Sequence, residues 1–111
     1  DIVNMLKMRL EASGYDVIIA GDGNTAYNKA KSDSPDLIIL DLMLPNMDGY
    51  QVCGLLKKDT RYAKIPIIIF TARAQKSDQD LGFEVGANAY ITKPFEAKEL
   101  LDKIKSLLGG Q

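Results

Sequence analysis

Three short apolar runs that each end in a polar residue restrict most strongly what this chain can fold into. They are residues 37–40 before Asp41, residues 67–70 before Thr71, and residues 90–92 before Lys93. Runs of this kind that alternate with helical patterns indicate a parallel α/β sheet, and ligands bind at the carboxyl edge of such a sheet. The sequence therefore predicts that a carboxylate, a hydroxyl and an ammonium group converge at one edge.

These three groups suit phosphoryl chemistry at Asp41. A carboxylate can act as the nucleophile, while a cation and a hydroxyl donor hold the oxygens of the transferred group. Because the sequence has no histidine and one cysteine, it can form neither a zinc site nor a Ser-His or Cys-His nucleophile pair. Carboxylates, hydroxyls and lysines are the groups that remain for chemistry.

Length, charge and cysteine content exclude several classes of protein. A chain of 111 residues, 46% hydrophobic and 26% charged, has the size of one globular domain covering residues 1–111. With 14 basic and 15 acidic residues it lacks the charge to bind nucleic acid, and no apolar stretch is long enough to span a membrane. The single Cys53 has no partner for an intrachain disulfide, so we expect a cytoplasmic protein.

Periodicity and turn residues divide the chain into alternating elements. The predicted helices are 2–10, 24–31, 50–58, 76–85 and 97–108, and the predicted strands are 15–20, 37–40, 66–70 and 89–92. Residues 37–40 are apolar on both faces, which is typical of a strand covered by helices on either side. The chain opens with a helix and has no strand in front of it.

The segments around the predicted site resemble a known family. Residues 37–49 read LIILDLMLPNMDG, residues 69–72 read IFTA, and residues 90–95 read YITKPF. In these motifs and in the spacing between them, the chain closely resembles the receiver domain of bacterial two-component response regulators over almost its whole length. The resemblance implies a flavodoxin-like, doubly wound α/β fold whose five parallel strands have the order 2-1-3-4-5.

The resemblance also implies a strand that this sequence does not contain. In the family, the first strand and the acidic pair at its end, which helps to hold Mg²⁺, directly precede the opening helix, so both should lie upstream of Asp1. That strand would be central in the sheet, and its loss would remove ladder partners and leave a hydrophobic gap between the helix layers. We therefore expect either that the sequence begins late or that a segment of another chain fills the gap.

Five residues receive roles at the site by this resemblance. Asp41 would be the phosphoacceptor and, with the backbone carbonyl of Met43, a ligand of Mg²⁺. Lys93 would pair with Asp41 at rest and with a phosphoryl oxygen afterwards. The Thr71 hydroxyl and the backbone N–H of Ala72 would contact the phosphoryl group. Taken singly, Asp41 could equally be a capping or turn aspartate, Lys93 an exposed loop lysine and Thr71 a strand end.

Three further expectations concern the surroundings of the site. A cis peptide bond between Lys93 and Pro94 would set the geometry of the loop. Tyr90 resembles an aromatic switch that turns inward when Thr71 moves, the alternative being a half-buried strand tyrosine with its hydroxyl in water. Met43 and Arg73 occupy positions that in the family tune the lifetime of the phosphoryl group.

Three nearby residues have plain structural interpretations. Gly49 would be the turn residue that opens the third helix, and Asp48 a turn or capping residue. Cys53 would be a small core hydrophobe and not a reactive thiol.

The leading hypothesis is a phosphorylation-driven conformational switch that is not an enzyme. A sensor histidine kinase or a phosphotransfer protein would phosphorylate Asp41, and the added charge would draw Thr71 and Lys93 inward. The surface of the last two helices and the strand between them would then change. A second copy of the chain or a downstream effector would bind that surface.

Three alternatives are weaker. A receiver-like binding module that does not depend on phosphorylation is motivated by the absent acidic pair. A phosphatase of the haloacid dehalogenase type should have a second aspartate two residues after the first, where Met43 stands. A flavodoxin-like electron carrier should have a Ser/Thr-rich loop for the flavin phosphate, and residues 42–48 provide none.

Overall fold

The computed structural model describes residues 2–42 and 46–109, which form five helices and three strands. The helices are α1 (Ile2–Ala12), α2 (Gly23–Asp33), α3 (Gly49–Lys58), α4 (Lys76–Glu84) and α5 (Ala97–Leu107). The strands are β1 (Ile38–Leu40), β2 (Ile67–Thr71) and β3 (Ala89–Thr92). Within the described part of the chain, no helix is long and apolar enough to cross a membrane.

The three strands form a parallel sheet in the order β1-β2-β3. Ile39 lies opposite Ile68 in the first pairing, and Ile69 lies opposite Tyr90 in the second. These strands correspond to those numbered 3, 4 and 5 in the predicted order 2-1-3-4-5. The position of strand 1 remains a prediction, and strand 2 is the one predicted at residues 15–20.

Every residue of the middle strand β2 is buried, because helices pack against both of its faces. Successive side chains of a strand point to opposite faces, so neighbouring β2 residues enter different hydrophobic clusters. Ile69 packs in one cluster with Leu56 of α3, and Ile68 packs in the other with Leu100 of α5. This two-sided arrangement confirms the predicted flavodoxin-like α/β class.

The predicted strand at residues 15–20 is not a strand in the structure. Tyr15 and Val17 still pack against the cluster beneath α5, whereas Ile18 is 54% exposed. A slot of about 640 Å³, lined mainly by apolar residues, lies between this segment and β1. A strand exists only through its ladder partner, and no described residue occupies the slot to supply one. The β-branched residues of this segment favour a strand, but they could not provide the missing hydrogen bonds.

Helix α3 begins at a capping box beside the predicted site. The Asp48 carboxylate accepts a hydrogen bond from the N–H of Gln51 (2.9 Å), and the Gln51 side chain accepts one from the N–H of Asp48 (3.2 Å). The predicted capping role of Asp48 is thus confirmed. At the next residue, Gly49, a Cβ atom would lie 2.8 Å from the carbonyl oxygen of Asp41. Only glycine therefore lets α3 begin so close to that backbone.

Cys53 is fully buried in the cluster beneath α3. Its Sγ lies 3.8 Å from the carbonyl oxygen of Val85, and burial raises the pKa of the thiol to about 11. The thiol is consequently protonated at neutral pH and unreactive. Cys53 is the core hydrophobe that the sequence predicts.

The ammonium group of Lys57 holds the loop between α3 and β2. It donates hydrogen bonds to the carbonyl oxygens of Ala63 (3.1 Å) and Ile65 (2.9 Å) and to Oδ1 of Asn88 (2.9 Å). The same Oδ1 accepts from the N–H of Ile67 at 3.0 Å, so this cluster links α3 to the starts of β2 and β3. Burial lowers the pKa of Lys57, and the three acceptors offset part of that cost.

We expect Lys57→Met to lower the free energy of unfolding by about 1–3 kcal/mol, because two loop carbonyl groups and Asn88 lose their donor. Lys58→Met is the matched control, since Lys58 is the exposed neighbour in the same helix. The control should change the free energy of unfolding by less than about 0.5 kcal/mol. Urea unfolding followed by circular dichroism measures both variants, and equal effects would contradict the role of Lys57.

Candidate functional site

The predicted carboxylate and ammonium group meet at the carboxyl edge of the sheet. Asp41 directly follows β1 and Lys93 directly follows β3, with β2 between these strands. The Nζ atom of Lys93 lies 2.8 Å from Oδ2 of Asp41. The two side chains are 26% and 33% exposed, respectively, so a ligand can reach the pair from solvent. An ion pair this accessible adds little to folding stability.

The surroundings of Lys93 determine where its ammonium group stands. Its backbone N–H donates to the carbonyl oxygen of Thr71 (2.8 Å), and its peptide bond to Pro94 is cis, as the resemblance implies. Nζ also lies over the ring of Phe70, 5.0 Å from the ring centroid. The Phe70 ring in turn meets Phe95 edge-to-face, with centroids 4.6 Å apart and an interplanar angle of 79°. Lys93 therefore stands between a carboxylate and an aromatic face.

Thr71 is the last residue of β2 and is completely buried. Its Oγ1 accepts a hydrogen bond from the N–H of Arg73 at 3.3 Å. The exposed Ala72 follows it at the same edge of the sheet. The parallel strands thus carry Asp41, Thr71 and Lys93 to one edge of the molecule, as the apolar runs predict.

Tyr90 of β3 turns its ring inward against α4 and the cluster beneath α3. A Cβ atom at Gly82 of α4 would lie 2.9 Å from Cδ2 of this ring, so the ring occupies the space that glycine leaves open. The hydroxyl donates to the carbonyl oxygen of Arg73 at 2.9 Å. Burial is the main cause of the raised pKa of the phenol, and the nearby Tyr50 hydroxyl adds to it. The phenol is therefore a proton donor at neutral pH.

The backbone of Arg73 connects Thr71 to Tyr90. Its N–H donates to the Thr71 hydroxyl oxygen, and its carbonyl oxygen accepts from the Tyr90 hydroxyl. The hydroxyl groups of Thr71 and Tyr90 are thus joined through one short backbone segment. The sequence points to the side chain of Arg73, whereas the structure also uses its backbone, and no sequence signal marks a backbone hydrogen bond.

The described residues supply only part of a magnesium site. Asp41 offers one accessible carboxylate, and residues 2–42 and 46–109 contain no group of three or more His, Cys, Asp or Glu side chains able to hold a metal. Met43, the predicted backbone ligand, lies outside the described residues. Mg²⁺ often binds through one or two carboxylates, phosphate oxygens and retained water. The chemistry of Asp41 fits the ion, and further ligands must complete the site.

Comparison with known proteins agrees with this geometry. The chain matches the response regulator receiver domain family over residues 1–105. Among curated relatives, the alkaline phosphatase synthesis transcriptional regulatory protein PhoP of Bacillus subtilis is 46% identical over 107 residues. The match covers 96% of this chain and 44% of PhoP, so the chain spans less than half the length of that relative.

Solved structures show the same fold. The signal receiver domain of a signal transduction histidine kinase from Syntrophus aciditrophicus is 36% identical, with a TM-score of 0.90 over 98% of this chain and 83% of that one. The receiver domain of the sensor histidine kinase PA1611 from Pseudomonas aeruginosa PAO1 is 31% identical, with a TM-score of 0.85 over 98% and 91% of the two chains. That domain has a magnesium ion coordinated in its active-site cleft. With its motifs, fold and site geometry in agreement, this chain belongs to the response regulator receiver domain family.

Proposed function

We propose that this receiver domain is a phosphorylation-dependent switch in which Asp41 accepts a phosphoryl group and a partner-binding surface changes in response. The accessible 2.8 Å pair of Lys93 Nζ and Asp41 Oδ2 at the sheet edge is the observation that carries the proposal. A sensor histidine kinase or a phosphotransfer protein is the proposed donor. The domain itself is a signalling switch and not an enzyme.

In the proposed transfer, a carboxylate oxygen of Asp41 forms the new O–P bond. The N–P bond of the donor's phosphohistidine breaks, and the imidazole leaves with the bonding electron pair and takes up a proton. Lys93 then changes acceptor from the carboxylate to a phosphoryl oxygen, which balances the charge gathered at the sheet edge. The hydroxyl of Thr71 and the N–H of Ala72 donate to the remaining oxygens.

Mg²⁺ would neutralise negative charge shared by the carboxylate and the phosphoryl oxygens. From this chain we propose Asp41 and the backbone carbonyl of Met43 as its ligands. The acidic pair that the resemblance implies upstream of Asp1 would complete the site.

The path from the site to the surface runs through Arg73. When the Thr71 hydroxyl turns to a phosphoryl oxygen, its contact with the N–H of Arg73 changes, and the carbonyl group that holds Tyr90 shifts with it. Tyr90 belongs to β3, which lies between α4 and α5 in the chain. A shift of its ring therefore changes the surface that these three elements form. A second copy of the chain or a downstream effector is the proposed partner there.

The net charge of -1 supports a function without direct binding of nucleic acid or a membrane by this domain, and we propose the cytoplasm as its compartment. The competing function is a binding module that works without phosphorylation.

Phosphoryl acceptance separates the two functions. The full-length protein incubated with acetyl phosphate and Mg²⁺ should gain the mass of one phosphoryl group, and Asp41→Asn should gain none because an amide is a poor nucleophile. Asp48→Asn is the matched control, since asparagine caps a helix as well as aspartate does. Mass spectrometry of the intact proteins measures the gain. An unmodified natural protein would support the binding module and reject the switch.

The lifetime of the phosphoryl group should depend on the side chain of Arg73. We expect Arg73→Ala to speed its hydrolysis by about three- to tenfold, because a smaller side chain admits water while the backbone bonds to Thr71 and Tyr90 remain. Loss of the phosphoryl mass with time after removal of acetyl phosphate gives the rate. Arg61→Ala, at an exposed arginine paired with Asp59, should leave the rate unchanged. Equal lifetimes for all three proteins would remove this role.

The inward position of Tyr90 should require glycine at residue 82. In Gly82→Ala the methyl group would press on the Tyr90 ring, so the hydrogen bond to Arg73 should weaken or break. Fluorine NMR of fluorotyrosine-labelled protein follows the ring, with Tyr90→Phe to assign its resonance. Gly54→Ala is the matched helical control, since its methyl group would meet only Cβ of Val85, at 4.0 Å. A Tyr90 resonance that does not move in Gly82→Ala would contradict the prediction.

A further inference from the structure

We propose that Phe70 is a positioning residue for the reaction at Asp41, because the face of its ring holds the Lys93 ammonium group beside the carboxylate. The effect on rate rests on the proposed function, whereas the contact itself is independent of it. In the sequence, Phe70 is recognisable only as an apolar residue of a strand, and no motif predicts a role for it at the site.

The ring contact supplies a second point of attachment for Lys93. Nζ is 2.8 Å from Oδ2 of Asp41 and 5.0 Å from the centroid of the Phe70 ring. An aromatic face carries negative electrostatic potential, and a cation within about 6 Å of the ring centroid is attracted to it. The attraction is stronger when the cation is partly removed from water, and Lys93 is 26% exposed.

The ring is held in place by its own packing. Phe70 is 3% exposed and lies in the cluster beneath α5. Phe95, two residues after Lys93, meets it edge-to-face, which is a favoured arrangement of two aromatic rings. The aromatic face is therefore a fixed surface, and a side chain resting on it has few alternative positions.

This contact fits a cation that must change acceptors. When Asp41 becomes phosphorylated, the amine has to leave a carboxylate oxygen and reach a phosphoryl oxygen. A ring face attracts positive charge without imposing a single hydrogen-bond direction, so the amine can turn toward the new acceptor while it remains over Phe70. A correctly placed charge stabilises the transition state, and small misplacements of such a group slow a reaction.

Fluorinated phenylalanines at residue 70 separate this role from packing. One, two and three fluorine atoms weaken the potential of the ring face in steps while the ring keeps nearly its size. The full-length protein carrying each analogue is tested in two ways. The nitrogen resonance of the Lys93 ammonium group is recorded before phosphorylation, and the rate of phosphorylation by acetyl phosphate with Mg²⁺ is then measured.

We expect the resonance to shift stepwise and the rate to fall by about two- to tenfold across the series. The same analogues at Phe83 of α4, which is 51% exposed, are the matched control and should leave the Lys93 resonance unchanged. Phe70→Leu should also slow phosphorylation while urea unfolding shows that it still folds cooperatively.

A ring that serves only as packing should give the natural rate and resonance throughout the fluorinated series, and that result would overturn the role of Phe70. If the natural protein is not phosphorylated, the proposed function fails and the effect on rate fails with it. If the natural protein is phosphorylated but the resonance and the rate stay constant across the fluorinated series, only the role of Phe70 is rejected.

Discussion

The parallel pairing of β2 with β1 and β3 is the constraint on which the site depends. Parallel strands end at the same edge of a sheet, so the residues that follow β1 and β3 stand on either side of the end of β2. Burial of the whole middle strand maintains this register, since a slip of one residue would exchange the side chains of its two hydrophobic clusters. The 2.8 Å contact between Asp41 and Lys93 is a consequence of that register.

Two kinds of contact connect the site to the rest of the molecule. The ammonium group of Lys93 lies between a carboxylate and the buried ring of Phe70, so the core beneath α5 supports the position of a charge at the surface. The backbone of Arg73 joins the Thr71 hydroxyl to the Tyr90 hydroxyl, and this chain of hydrogen bonds reaches toward α4. On the α5 side of β2, Phe70 supports Lys93. On the α4 side, Thr71 is connected through Arg73 to Tyr90.

Much of this arrangement could be predicted from residue patterns. All the described helices and three of the four predicted strands occur where periodicity places them, with ends that differ by at most two residues. Helical and strand periods are local properties, and so is the capping box of Asp48 and Gln51. Residues 15–20 are the exception. Their β-branched residues favour a strand, yet a strand requires a hydrogen-bonded neighbour, and the composition of one segment cannot provide it.

The sequence by itself determined the class of fold, the elements and the polar residues that end the apolar runs, because each depends on short-range spacing along the chain. Only the tertiary structure decided the contacts that no motif predicts. Phe70 beneath Lys93, the Arg73 backbone between Thr71 and Tyr90, and Lys57 across the loop before β2 all join residues through packing or backbone atoms. Such contacts depend on how separate elements approach one another in space, and neighbouring residues in a sequence carry no record of that approach.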